Sequence, residues 1–164
     1  MHLSLEEKET LAIKDCRNGK GIFAKKVFSP KEVVFEVGGT FLTCDEDEDV
    51  DEETRNNTYR YNKDLFLSPK DRIGDMLNHS CEPNAKVVKK AKRLFVVAIK
   101  EIPRNTEVCI DYSTIIARDD TWHMQCNCGT ESCRGIVKKF NLLPKRIKDN
   151  YIKSSIVPSY ILEI

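Results

Sequence analysis

Apolar residues in this chain come in short runs interrupted by turn-forming residues. Thr10-Leu11-Ala12-Ile13 reads as a first strand, and Asn18-Gly19-Lys20-Gly21 is a strong turn signal. Ile22-Phe23-Ala24 resumes apolar character before Ser29-Pro30-Lys31 makes a second turn. Val33-Val34-Phe35-Glu36-Val37 is then a β-branched run that ends at Gly38-Gly39. Nothing from residue 10 to 37 has a helical period. Thr58-Tyr59-Arg60-Tyr61 and Asp64-Leu65-Phe66-Leu67 read as strands of a small sheet, stopped by Ser68-Pro69-Lys70-Asp71. A short helical turn over 71–77 follows. Ala85-Lys86-Val87-Val88 and Leu94-Phe95-Val96-Val97-Ala98-Ile99 bracket a basic turn at 89–93, as in a hairpin. Ile102-Pro103-Arg104-Asn105-Thr106 is another turn, and Glu107-Val108-Cys109-Ile110-Asp111-Tyr112 another strand. Many short strands with little helix make a mainly β domain.

Two regions depart from this rhythm. Residues 45–53 form a dense acidic block, whose like charges oppose compact packing, so the expectation is a solvated loop or the frayed start of a short helix. A functional alternative is Coulomb recruitment of a basic substrate, which salt would weaken. Near the other end, Arg146 to Ile152 reads as a helix with Ile147, Tyr151 and Ile152 on one face. The final run Ile156-Val157-Pro158-Ser159-Tyr160-Ile161-Leu162 is too apolar for a free tail. It is expected to pack on the body or on another copy, which would make a homodimer through the tail.

At 164 residues the chain supports one hydrophobic core with appendages. Its apolar content of 40% and charged content of 32% are those of a soluble globular protein, and a net charge of +1 offers no global attraction to nucleic acid or membrane. The N-terminal stretch, residues 1–8, has no apolar core of signal-peptide length, and no window approaches the roughly 18 apolar residues of a membrane span. The expected location is cytosolic or nuclear. In that setting the seven cysteines are expected as thiols, and the clustered ones as metal ligands rather than disulfides. Cys16, Cys44 and Cys109 read as small, partly buried side chains.

The chemistry gathers in Asn78-His79-Ser80-Cys81-Glu82-Pro83-Asn84, a polar turn whose donors and acceptors need partners. Downstream, Cys126-x-Cys128-x4-Cys133 places three soft donors within eight residues, and tetrahedral zinc takes four. Cys81 completes the set from a distant segment. Four thiolates leave no open coordination position, so the ion is structural and its binding is linked to folding. The bland alternative, unligated thiols with Cys81 an ordinary buried residue, is outweighed by the spacing. The turn at Asn18 to Gly21 is a weak signal alone and gains value from this company.

Taken in order, these motifs resemble the SET-domain protein lysine methyltransferases with a post-SET zinc segment, over roughly residues 10 to 140. The resemblance implies a SET fold of several small sheets with a knot-like crossing, divided into a SET domain at 10–114, a post-SET segment at 115–140 and a basic, apolar extension at 141–164. It implies S-adenosylmethionine as cofactor, held by Asn18, Gly19 and Lys20 of the glycine turn, by Tyr59, and by Asn78 and His79. It implies Tyr112 as the catalytic tyrosine and Cys81, Cys126, Cys128 and Cys133 as zinc ligands. The implied partner is a lysine-bearing protein or peptide; the acidic block favours a basic one, and the charge balance leads to no expectation of direct nucleic-acid or membrane binding.

The chain departs from the family pattern at three places. Asp75 and Met76 stand where many members have an arginine and a phenylalanine, and Glu36-Val37-Gly38-Gly39 stands for a Tyr-Val-Gly-Glu run. The aromatic that follows the last zinc ligand is displaced, with Lys138 near its place; Phe140 is open between a cofactor cap and core packing. Ile110, two residues before Tyr112, lacks the ring or hydroxyl common there, which suggests that di- or trimethylation is allowed. The rival expectation is a catalytically silent SET-like, zinc-stapled peptide-binding module, fed by Asp75 and Glu36 and opposed by Tyr112, Asn78 and His79. A weaker third expectation is a zinc-stapled interaction domain with no cofactor.

Overall fold

The computed structural model describes residues 3–164; of the N-terminal stretch considered above, Met1 and His2 lie outside the described residues. The strands run β1 (Leu11–Cys16), β2 (Gly19–Ala24), β3 (Val33–Val37), β4 (Thr40–Thr43), β5 (Tyr59–Arg60), β6 (Leu65–Ser68), β7 (Asn78–His79), β8 (Ala85–Lys90), β9 (Arg93–Ala98), β10 (Cys109–Ile110), β11 (Met124–Gln125) and β12 (Ile136–Val137). The helices are α1 (Leu5–Thr10), α2 (Cys44–Asp49), α3 (Glu52–Asn56), α4 (Lys145–Lys153) and α5 (Ser159–Leu162). Single 3-10 turns occupy Ile73–Met76, Tyr112–Thr114 and Phe140–Leu142.

The strands form five small sheets: β1-β2, β3-β9-β8, β4-β6-β5, β11-β12 and the pair β7-β10. All pairings are antiparallel except β7 with β10, which is parallel. The β8-β9 hairpin is the most regular unit, pairing Ala85 with Ala98 through to Lys90 with Arg93. Its turn is only Ala91 and Lys92, both at positive φ, so the strands extend further into the basic stretch than the sequence suggested. Period-2 alternation buries Ala85 and Val87 on one strand and Leu94, Val96 and Ala98 on the other. Phe28, Ile22, Ile102, Val108 and Ile110 join them in one core.

Two elements that hydrophobic periodicity did not announce have local causes. Helix α1 is started by a capping box in which Ser4 and Glu7 bond each other's backbone amides. The acidic block folds as α2 because Thr43 and Glu46 form a second capping box and the acids of its first turn suit the helix dipole. Beyond its end, the Arg55 guanidinium takes the carbonyls of Asp47, Glu48 and Val50, satisfying groups a short helix leaves open.

The C-terminal extension closes over the body. Tyr151 of α4 and the tail residues Ile156, Val157, Tyr160 and Ile161 are buried in the common core, so the tail packs on its own chain. A homodimer through the tail would have to use what this packing leaves outside, Ile152 and Leu162. Phe140 is also in the core, 5% exposed.

Candidate functional site

The site is built where residues 78–84 run alongside 107–112. Strand β7 pairs with β10 in parallel, Asn78 opposite Cys109 and His79 opposite Ile110. The ladder continues through Ser80 N–H to Ile110 O at 2.9 Å and Asn84 N–H to Cys109 O at 3.1 Å. The Asn84 side chain completes it by donating to Glu107 O at 2.7 Å and accepting from Cys109 N–H at 2.9 Å. On the far side, Val108 N–H donates to Ile22 O, so segment 106–108 is held between β2 and the polar motif.

Asn78 is fixed by the glycine turn. Its amide donates to Lys20 O at 2.9 Å and to Glu107 Oε1 at 2.8 Å. A Cβ on Gly21 would lie 2.3 Å from that Glu107 oxygen and 2.9 Å from the Asn78 amide nitrogen, so only glycine leaves room for this pair. Gly19, at φ +95°, makes the turn itself. Lys20 thus contributes a carbonyl, while its ammonium reaches out to Asp15.

His79 and Tyr112 are locked together. The Tyr112 N–H donates to His79 Nδ1 at 3.1 Å, and the Tyr112 hydroxyl donates to Leu77 O. Burial pushes the His79 pKa down to about 4, so the ring is neutral, and a neutral ring that accepts at Nδ1 carries its proton on Nε2. That proton faces Cys81 Sγ at 3.4 Å. Burial pushes the Tyr112 hydroxyl well above its ordinary range, so it stays protonated and works by hydrogen bonding.

Beneath them Asp111, 1% exposed, collects Arg134 Nη2 at 2.7 Å, Tyr151 OH at 2.9 Å and Ser113 N–H at 3.0 Å. A buried carboxylate needs such partners, and two of them come from the C-terminal part of the chain.

Three of the four thiols expected as zinc ligands converge, and the fourth, Cys133, lies outside the group. Cys81, Cys126 and Cys128 lie together with His79, their ligand atoms all within 4.8 Å of one another. The Cys81–Cys126 Sγ separation is 3.7 Å; two thiolates at 2.3 Å on a tetrahedral ion stand about 3.8 Å apart. Arg134 N–H points at Cys81 Sγ at 3.4 Å, as donors to metal-bound sulfur do. Because its Nε2 carries the proton, His79 serves Cys81 as a donor and not as a fourth ligand. Cys133 stands just outside the group, exposed, with Sγ 3.9 Å from Cys126 O. The residues present therefore fit a zinc ion, with Cys133, whose sulfur lies beside the Cys126 carbonyl, as the thiol that would complete four.

Two cavities meet at Tyr112. One, of about 580 Å³, is lined by Asn18, Asn78, His79, His123 and Asn127 among others. The second, of about 540 Å³, is lined by Tyr59, Phe66, Leu77, Ile115 and Ile116, and by the charged residues Asp47, Glu48, Asp119, Asp120, Arg55 and Arg60, of which Arg60 is paired with Asp119 and Asp120. Tyr112, Trp122, Asn56 and Asn57 line both. Asn18, Asn78 and His79 are thus brought together around the first cavity, whereas Tyr59 belongs to the second, its hydroxyl bonded to Gly74 O at 2.8 Å. Amide and imidazole groups around a half-open cavity of that size suit a cofactor with carboxylate, amine and base edges.

The departures from the family pattern find partners here. Asp75 accepts from Asn57 at 3.0 Å, and Glu36 pairs with Arg93 across β3 and β9 on the outer face. Asn56 and Trp122 draw no notice in the sequence, and Arg134 and Tyr151, one in the cysteine run and the other on an apolar helix face, are given no role at the site there. Trp122, the one tryptophan of the chain, was the most findable of them.

The family model of the SET domain matches residues 19–113, more than half of the chain, and the chain belongs to the SET domain family. Its curated relatives include the histone-lysine N-methyltransferase, H3 lysine-4 specific, of Chaetomium globosum, 36% identical over 69 residues, which is 40% of this chain and 6% of that protein. The protein of the same name from Neurospora crassa is 36% identical over 69 residues, 40% of this chain and 5% of its own length. That of Saccharomyces cerevisiae is 24% identical over 147 residues, 82% of this chain and 14% of its own length. The chain spans a small fraction of the curated relatives it matches. No helix among the described residues is long and apolar enough to cross a membrane.

Proposed function

We propose that this chain transfers a methyl group from S-adenosylmethionine to the side-chain amine of a lysine in a protein. The observation that carries this reading is the position of Tyr112, whose ring stands in the wall of two cavities of comparable size. A two-substrate displacement needs its reactants brought in from opposite sides and aligned at one point. The cavity of Asn18, Asn78 and His79 is assigned to the cofactor, and that of Tyr59, Leu77 and Tyr112 to the lysine.

When bound, S-adenosylmethionine supplies an electrophilic methyl on a sulfonium. The chain's own part is to present a neutral amine. Lysine has an ordinary pKa near 10.4 and is mostly charged at neutral pH. Apolar walls such as Leu77, Ile115 and Ile116 disfavour the ammonium, so its proton leaves to solvent before the nitrogen lone pair attacks. Tyr112 gives its hydroxyl proton to Leu77 O, which leaves its oxygen lone pairs free to accept from the amine N–H and orient it. Zinc, held by Cys81, Cys126, Cys128 and Cys133, would anchor the segment after the SET domain against this site. Ile110, two residues before Tyr112, has no hydroxyl with which to hold a water and is smaller than the ring common in the family, and on that ground di- and trimethylation are taken to be allowed. Mass spectrometry finding only monomethylated product at saturating cofactor would refute that part.

Four carboxylates against two arginines, Arg55 and Arg60, line the lysine cavity, and this acidic excess favours a basic substrate; the specificity in the relatives' names makes a histone H3 tail the first one to try, with nuclear location the corresponding expectation. The test is calorimetric titration of the zinc-loaded protein with S-adenosylmethionine beside radiolabelled methyl transfer to histone H3 and mixed basic proteins. Binding, and transfer that falls by about 10² or more in Tyr112→Phe, is the expected result. Binding without transfer to any basic protein favours the silent module, and no binding removes the cofactor assignment.

A further inference from the structure

The partition between the two cavities has two aromatic members. Tyr112 is accounted for above; Trp122 is not. It lies on the irregular stretch between the Tyr112–Thr114 turn and β11, outside the segment matched by the family model. Even so it is half-buried, it lines both cavities, and its ring centre is 6.1 Å from that of Tyr112 at 57°. The Tyr112 ring also stands 5.4 Å from that of His79, which lines the first cavity. The indole is held in place by a 2.7 Å bond from Nε1–H to Asn56 Oδ1, which ties this stretch back to α3. Asn56 also lines both cavities.

An indole bound at its N–H edge keeps its π-faces available, and tryptophan is the aromatic that best attracts a cation. Both ligands of the proposed reaction bring positive charge towards Tyr112, an ammonium from one side and a sulfonium from the other. We propose that Trp122 is a binding residue for both ligands, walling the lysine side chain in one cavity and the cofactor in the other, with Asn56 as its positioning residue. This rests on the functional reading above.

Because the chain has a single tryptophan, its fluorescence reports this residue alone. The zinc-loaded full chain is titrated with S-adenosylhomocysteine and, separately, with an unmodified histone H3 tail peptide, each also followed by calorimetry. The expected result is an emission change that saturates with each ligand at its calorimetric Kd. Trp122→Phe should raise KM for both cofactor and peptide, and Trp122→Ala by at least about fivefold for each, with kcat changed less. Asn56→Ala should reproduce part of both KM effects while Trp122 is present. Calorimetric binding with silent fluorescence, or a KM effect confined to one ligand, overturns the inference and leaves the functional reading standing. Absence of both binding and transfer in the wild type overturns the functional reading and this inference with it.

Discussion

The β3-β9-β8 sheet and the β7-β10 crossing lie side by side in the same core, yet they hold their shape by different means. In the sheet, Val37, Val87, Leu94, Val96 and Ala98 each bury an apolar side chain to 2% exposure or less, and the six-pair β8-β9 register repeats the same bond pattern. No single contact decides its geometry. The crossing pairs only two residues with two, and its remaining bonds are individual: Asn78 to Lys20 O, Asn84 to Glu107 O and Cys109 N, Tyr112 N to His79. Apolar burial is non-directional and shared among many atoms, whereas a buried polar bond has one donor and one acceptor. Damage to the sheet should therefore cost stability and spare chemistry, while damage to the crossing should cost chemistry out of proportion to stability.

The largest expected effect comes from the metal. A native-state ligand at a thousandfold excess over its Kd stabilises by about 4 kcal/mol. Stripping zinc should therefore lower Tm by roughly 10 °C, with amide protection lost around β11 and β12 and kept in β8 and β9. An unchanged Tm on chelation would remove the zinc staple from the account. Next, Leu94→Ala, in the sheet at 1% exposure, should cost about 2–5 kcal/mol in denaturant melts while KM values of the folded enzyme stay near wild type. A large KM change would break the comparison. Asn84→Ala leaves Glu107 O and Cys109 N–H without their side-chain partner, at a cost of about 2 kcal/mol. If the crossing is the rigid frame of the site, kcat should fall in this variant far more than in Leu94→Ala at matched stability.

The smallest effect concerns a third kind of region, a helix end held by one local cap. Asp51 accepts from Thr54 N–H and from the Thr54 hydroxyl, both at 2.8 Å, and these bonds hold its carboxyl down at about 2. A carboxyl with a lowered folded pKa contributes its stabilisation fully above its ordinary value near 3.9, and loses it as pH falls through the lowered one. The Thr54 amide resonance should therefore titrate between about pH 4 and 2, ahead of the sheet. Since α3 carries Asn56, fraying there should reach the partition between the cavities before it reaches the core.

Much of this molecule is legible from local pattern. The β8-β9 hairpin shows as alternation, α4 as a repeated apolar face, and the thiols as spacing, because each signal lies within a few residues. The capping boxes at Ser4-Glu7 and Thr43-Glu46 were equally local, and motif reading rather than periodicity would have found both helices. The four motifs in order, turn, polar motif, strand-end tyrosine and cysteine cluster, sufficed to indicate a SET domain, whose family model matches residues 19–113.

What the chain order does not contain is adjacency across long intervals. Tyr59 sits against Gly74 and the second cavity, away from Asn18 and Asn78, because its strand pairs with β6 and not with β2. Asp111 gains Tyr151 from forty residues away, and Trp122 is bonded to Asn56, sixty-six residues earlier. Residue types and short spacings thus specify the chemistry available and the elements that carry it. Which side chains share a cavity follows from how the small sheets pack, because burial selects partners by distance in space and is indifferent to distance along the chain.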